Sequence, residues 1–133
     1  MIVGEFTTNL GAKNRIAIPK KIRNELEGSL FLTRGDKNNV LLLDELRWKG
    51  LEKQVVSYDF FEEKRRDLSR VYFGGAVEIE TDSQGRFVVP EFLLQHGQFK
   101  KEVVFIGVRD WVELWSKENW NTYYRELKNR MYD

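Results

Sequence analysis

The sequence predicts a β-rich α+β domain built from two internal repeats that fold against each other as a pseudo-dimer. Three observations predict it. The chain has 133 residues, about one domain's worth of core. Hydrophobic residues make up 41%, aromatics 14%, and there are two prolines, a balance too apolar for disorder and too mixed for a membrane protein. The chain also matches itself when slid by about 71 residues. Gly4 then falls on Gly75, Phe6 on Val77, Arg15 on Arg86, Ile16-Ala17-Ile18-Pro19 on Phe87-Val88-Val89-Pro90, and Ile22 on Leu93. One residue later the match resumes, with Val40 on Val112, Leu42 on Leu114 and Trp48 on Trp120. A half of about 45 residues with four short strands buries too little apolar surface to stand alone, so the copies are expected to fold together.

Each copy reads alike. A strand near Val3-Leu10 leads through a polar turn, Gly11-Asn14 or Asp82-Gly85, into a short strand, Arg15-Ile18 in copy one, whose alternation fits a half-buried surface. Pro19 stops that strand and suits a helical first turn, so Lys20-Glu27 reads as a helix closed by Gly28, and Pro90, Glu91-His96 and Gly97 repeat the pattern. Two strands follow, Leu30-Arg34 and Val40-Leu43, joined through Gly35-Asn39; Val103-Val108 and Val112-Trp115 are their counterparts, joined through Arg109-Trp111. Asp44 can cap a helix with Trp48, Leu51 and Val55 on one face, and Asp59 another with Phe61, Leu68 and Tyr72. Ser116 caps the last helix, where Trp120, Tyr123, Tyr124, Leu127 and Met131 share a face that must pack on something. The division is a first repeat over 1–48, a connecting helical segment over 49–74, a second repeat over 75–120 and a helix continuation over 121–133, in one compact domain.

Composition removes most enzymology. With no cysteine and one histidine, His96, there is no disulfide framework, thiolate site or multi-histidine metal site. No nucleophile elbow, phosphate loop or dinucleotide fingerprint occurs, so neither an enzyme nor a cofactor is expected. Glu78, Glu80 and Asp82 share a strand face but lack a nucleophile or metal partner. The apolar runs are far below the roughly 20 residues of a spanning helix and no leader pattern opens the chain, so a cytoplasmic location is expected.

Net charge is only +1, but it is graded: +3 over residues 1–43, 0 over 44–76 and −2 over 77–133. Lys13, Arg15, Lys20, Lys21 and Arg23 form the densest one-signed stretch, and Lys64-Arg66 with Arg70 the next, read as a solvated helix face. Two turns related by a pseudo-twofold on one face would suit a twofold ligand such as duplex DNA.

The doubled pattern Leu10-Gly-Ala-Lys13-Asn-Arg15-Ile-Ala-Ile18-Pro19 and Thr81-Asp82-Ser-Gln-Gly85-Arg86-Phe-Val-Val89-Pro90 resembles the MraZ family of bacterial transcriptional regulators. Thr33-Arg34-Gly35 and Leu114-Trp115-Ser116-Lys117-Glu118-Asn119-Trp120 are similar to that family in the same order, over nearly the whole chain. The resemblance implies a double swapped-hairpin barrel of the SpoVT-AbrB type. It further implies a nucleoid-associated homo-oligomeric ring that binds direct repeats in double-stranded DNA at the promoter of its own division and cell-wall operon, as a repressor. The family's DNA-contacting element is the Asp-x-x-x-Arg turn. Asp82 and Arg86 match it; in copy one Arg15 matches, while Gly11 stands in place of aspartate and Asn14 in place of glycine.

Arg15 and Arg86 each offer a planar donor fork to a guanine edge or a phosphate, or alternatively pair internally with an acid such as Asp82, which stabilises the turn. Lys13 and Gln84 occupy equivalent turn positions from which either can contact phosphate or base, and Asn14, beside Lys13, is counted with them as DNA-binding. Lys20, Lys21 and Arg23 are read as phosphate-positioning bases, and copy one, without an acid in its turn, is expected to present the better DNA-facing potential. His96 is read as a helix-end cap, and Trp48, Trp120, Tyr123 and Tyr124 as packing residues. The rival reading is a protein-interaction module of the antitoxin-like swapped-hairpin class. No small-molecule ligand or membrane partner is expected.

Overall fold

Alternation decides the centre of the molecule. In the computed structural model, which describes residues 1–56 and 61–132, Ile16, Ile18, Phe87 and Val89 are buried while Arg15, Arg86 and Val88 are exposed. The elements in chain order are β1 (Ile2–Asn9), β2 (Arg15–Ala17), α1 (Lys20–Arg23), β3 (Leu30–Arg34), β4 (Asn39–Asp44), α2 (Glu45–Val56), α3 (Glu63–Tyr72), β5 (Val77–Ile79), β6 (Arg86–Val88), α4 (Glu91–Gly97), β7 (Glu102–Arg109), β8 (Val112–Ser116) and α5 (Lys117–Tyr132). A six-stranded antiparallel sheet runs β1-β7-β8-β4-β3-β5, and β2 and β6 form a separate antiparallel ribbon.

The repeats are interlaced. Each sends its first strand to the other's hairpin, β1 onto β7 and β5 onto β3. At the junctions the pairing is self-complementary, as in a twofold interface. Val40 pairs with Leu114 and Leu42 with Val112, around Leu41 and Glu113. In the ribbon Arg15 pairs with Val88 and Ala17 with Arg86, around Ile16 and Phe87. Val77 pairs with Leu32 as Phe6 pairs with Phe105, so β3 maps onto β7 one residue further along than β4 onto β8. The β7–β8 connection absorbs the difference.

Ribbon and sheet enclose one core: Ile16, Ile18, Phe87 and Val89 meet Leu32, Leu42, Phe105 and Leu114, with Ile22 and Leu93 from α1 and α4 closing the ends. On the opposite sheet face α5 lays Trp120 and Tyr123 over Val104, Ile106 and Trp115. Trp48 of α2 stacks on Phe31, centroids 4.8 Å apart, and meets Phe73 edge-on at 5.6 Å.

Two of the three expected helix N-caps form among the described residues. The Asp44 carboxylate accepts the Arg47 amide at 3.1 Å and, at its other oxygen, the Arg47 guanidinium at 2.8 Å and the Glu27 amide at 3.0 Å. Ser116 Oγ accepts the Asn119 amide at 3.0 Å. The expected cap Asp59 lies outside the described residues.

Six local expectations are corrected. Helix α1 stops at Arg23 rather than Glu27, because Asn24 and Glu25 continue only as a turn and Gly28 sits beyond it at φ 76°. The left-handed residue closing α4 is Gln98, φ 55°, while Gly97 lies within the helix, where the Phe99 ring leaves no room for a Cβ. Strand β5 has three residues against eight in β1. Phe61 precedes α3 instead of joining its face, and on α5 Tyr124, though stacked on Trp120 with centroids 5.5 Å apart, and Met131 near the helix end are exposed. The His96 ring caps nothing: its Nε2 is enclosed without a hydrogen-bond partner among the described residues, and the His96 carbonyl accepts Asn38 Nδ2 at 3.2 Å.

Candidate nucleic-acid interface

The two turns stand at opposite ends of the β2–β6 ribbon, because each precedes its strand and the strands run antiparallel. Each turn is stitched to the other repeat. The Asn14 carbonyl accepts the Val89 amide at 2.9 Å and the Gly85 carbonyl accepts the Ile18 amide at 2.9 Å. Within each turn the first residue's amide closes onto the arginine carbonyl, Gly11 to Arg15 at 2.7 Å and Asp82 to Arg86 at 3.0 Å.

Side chains on a strand alternate, so burial of Ile16 and Phe87 sends Arg15, Ala17, Arg86 and Val88 to the opposite face of the ribbon. Arg15 and Arg86 are both exposed there as diagonal neighbours, which in an antiparallel pair places them about 7–8 Å apart. Val88, 49% exposed, lies directly opposite Arg15. Sequence reasoning missed Val88 as a surface residue. The signal was available, since Phe87 and Val89 in the core oblige Val88 to face out.

The turns differ in how they are held. In the second, Asp82 Oδ1 accepts the amides of Gln84 and Arg86, both at 2.9 Å, and Oδ2 accepts Arg86 Nε at 2.8 Å. The Arg86 amide, followed by its guanidinium and the Gln84 amide, holds the Asp82 carboxyl at about 2 against an ordinary 3.8. Gly85 supplies a left-handed φ of 75°. In the first turn Gly11 is extended and offers no side-chain cap, and the bend is made by two left-handed residues, Lys13 at φ 58° and Asn14 at φ 60°. Asn14 thus takes the place of Gly85, as an asparagine can. Lys13 and Gln84 are exposed, and Asn14 is half-buried.

The basic run that is continuous in sequence is divided in space. Strand β2 carries the chain away from its own turn, and the Ile18–Gly85 bond delivers Lys20, Lys21 and Arg23 to the far end of the ribbon, beside the second turn. Arg23 packs over Gly85, where an added Cβ would lie 2.6 Å from Arg23 Cδ. Lys20 and Lys21 are exposed and Arg23 is half-buried. Lys13 and Arg15 remain at the first end, next to α4, whose residues at the equivalent positions are Glu91, Phe92 and Leu94. The expectation that copy one presents the stronger potential is therefore reversed for the ends of the ribbon: the swap gives three of its bases to the other turn. Helix α1, one turn long, carries too little macrodipole to matter here.

The second basic run is tied into the helices: Arg65 donates to the Gln54 carbonyl at 3.0 Å and Arg70 pairs with Asp67 at 2.6 Å. Among the described residues no three metal-ligating side chains gather, and no helix is long and apolar enough to cross a membrane.

A family model described as "MraZ protein, putative antitoxin-like" matches residues 1–71 and again 72–132, one ribbon turn in each match. The chain belongs to the MraZ family. Similar proteins named "Transcriptional regulator MraZ" include one from Carboxydothermus hydrogenoformans, 34% identical over 140 residues, covering 100% of this chain and 98% of the relative. One from Caldanaerobacter subterraneus subsp. tengcongensis is 37% identical, with 92% and 86% covered, and one from Clostridium tetani 37%, with 92% and 87%. The two MraZ matches meet within the helical connection between the interlaced repeats, and the fold is thus that of a swapped-hairpin pseudo-dimer carried in one MraZ chain.

Proposed function

We propose that this chain is a transcriptional regulator that binds double-stranded promoter DNA through the outer face of the β2–β6 ribbon. One observation carries the reading: two exposed arginines stand side by side on a pseudo-twofold face, flanked by turns that are fixed from both repeats. Arg15 and Arg86 reach base edges or phosphates, Lys13, Asn14 and Gln84 contact the backbone beside them, Lys20, Lys21 and Arg23 neutralise phosphates, and Asp82 braces its turn.

A face with this few cations binds DNA weakly at physiological salt. Assembly into a homo-oligomeric ring supplies the rest: equivalent faces on tandem direct repeats raise avidity by roughly 100-fold or more without new contacts. Repression of its own division and cell-wall operon by blocking polymerase, in a nucleoid-associated cytoplasmic protein, is the simplest outcome. Exposed large side chains along α5, Tyr124, Met131 and Tyr132, favour a second reading, a protein-interaction module.

The test is a fluorescence-anisotropy titration of the chain's own upstream promoter DNA at two salt concentrations, comparing wild type with Arg15→Ala. Binding weakened about 10-fold or more by the substitution, and falling with salt, supports the regulator. Equal and weak binding by both proteins, with no retention on heparin, moves the reading to the interaction module.

A further inference from the structure

We propose that the two ends of the ribbon contribute unequally, so that the chain lies on DNA in one direction: the Arg86 end reads bases and anchors phosphates, and the Arg15 end is an adaptable contact. The proposal rests on the DNA-binding reading above and adds a polarity to it.

The first ground is how each arginine is held. Asp82 engages only Nε of Arg86, so the four N–H donors on its terminal nitrogens stay available as a planar fork. The carboxylate is itself fixed by the amides of Gln84 and Arg86. A fork held before contact meets O6 and N7 of a guanine with little further loss of rotamer freedom. Gly11 gives Arg15 no such brace. A mobile guanidinium follows whichever acceptor is near, which suits a phosphate better than a base.

The second ground is where the cations go. Interlacing places Lys20, Lys21 and Arg23 at the Arg86 end, and their counterparts at the Arg15 end are Glu91, Phe92 and Leu94. Fixed fork and phosphate charge therefore coincide at one end. An evenly matched pseudo-dimer would read an inverted repeat equally from either side, whereas this one distinguishes the two ends of its box.

Two experiments test this. In the first, anisotropy titrations compare the promoter duplex with a shuffled duplex of the same length. Asp82→Asn is expected to lower the preference for promoter DNA about 10-fold without weakening binding to the shuffled duplex. Gly11→Asp, which gives Arg15 the same brace, is expected to raise the preference. Gly11 has an extended backbone, and its new Cβ would meet only the Arg15 carbonyl at 3.3 Å, so this variant decides the matter even if Asp82→Asn folds poorly. A preference unchanged by both substitutions overturns the proposal while leaving the regulator intact; a wild type with no preference overturns both.

The second experiment uses the absence of cysteine. Ala12→Cys and Ser83→Cys stand at equivalent exposed turn positions and can each carry iron-EDTA. Cleavage on opposite flanks of each protected box by the two conjugates supports a fixed direction. The same pattern from both overturns it.

Discussion

The carbonyl of Asn14 accepts the amide of Val89 at 2.9 Å, so the first repeat's turn is built onto the second repeat's strand; Gly85 and Ile18 make the matching bond at the same length. Neither turn can change shape without disturbing the opposite strand. Gly85→Ala should therefore cost more than local strain. Its left-handed backbone disfavours any side chain, and the new methyl displaces Arg23. A loss of about 1–2 kcal/mol is expected in urea unfolding. Asn14→Gly should change stability by less than about 0.5 kcal/mol, since glycine accepts the same angles while loosening the unfolded chain.

Asp82 makes the second turn sensitive to acid. Its folded carboxyl titrates at about 2 against an ordinary 3.8, so the charged form is the one that folding favours. Its stabilising contribution is fully present above the ordinary value and is lost as pH falls toward the folded one. Thermal melts of wild type and Asp82→Asn should differ by a constant margin from neutral pH to about 5, and the margin should shrink only below about pH 4. A margin that closed near neutrality would contradict the hydrogen-bond pattern.

The two helix caps should be unequal. Asp44 is buried and serves the Arg47 amide, the Arg47 guanidinium and the Glu27 amide at once. Asp44→Ala leaves these donors without their acceptor and should destabilise by about 3 kcal/mol. Ser116→Ala removes one neutral cap bond and should cost about 1 kcal/mol. Denaturant midpoints for the two variants give the comparison directly.

Salt dependence measures the phosphate contacts. If Lys20, Lys21 and Arg23 each neutralise a phosphate, replacing all three by alanine should reduce the slope of log K against log salt by about 2 to 3. Lys13→Ala should reduce it by at most about 1. Equal slopes for wild type and triple variant would remove these residues from the interface.

Much of this was legible in the residues. The self-match fixed the equivalence of the two turns, alternation fixed which side of β2 and β6 faces inward, and Asp44 and Ser116 announced their helices. The crossing of the repeats was implied by the family resemblance; what stayed hidden was its consequence for the basic run. Local pattern assigns Lys13 through Arg23 to one place, but an antiparallel ribbon carries Lys20 one strand length away, beside Asp82 and Gly85. The end of α1 was hidden for a related reason: Ile22 and Leu26 fit helical spacing, while tertiary packing let the chain leave the helix after Arg23. Val88 was overlooked because an apolar triplet reads as core unless its register is followed residue by residue.

Interlacing also governs how the molecule comes into being. With β1 bound to β7 and β5 to β3, neither half completes its sheet before the other arrives. In two separate polypeptides that meeting would be a second-order encounter, slowed by every dilution. Joined in one chain it becomes a first-order closure, slow for the chain's size because its contacts are distant in sequence, yet indifferent to concentration. The amount of protein in the cell then leaves the maturation of each chain untouched.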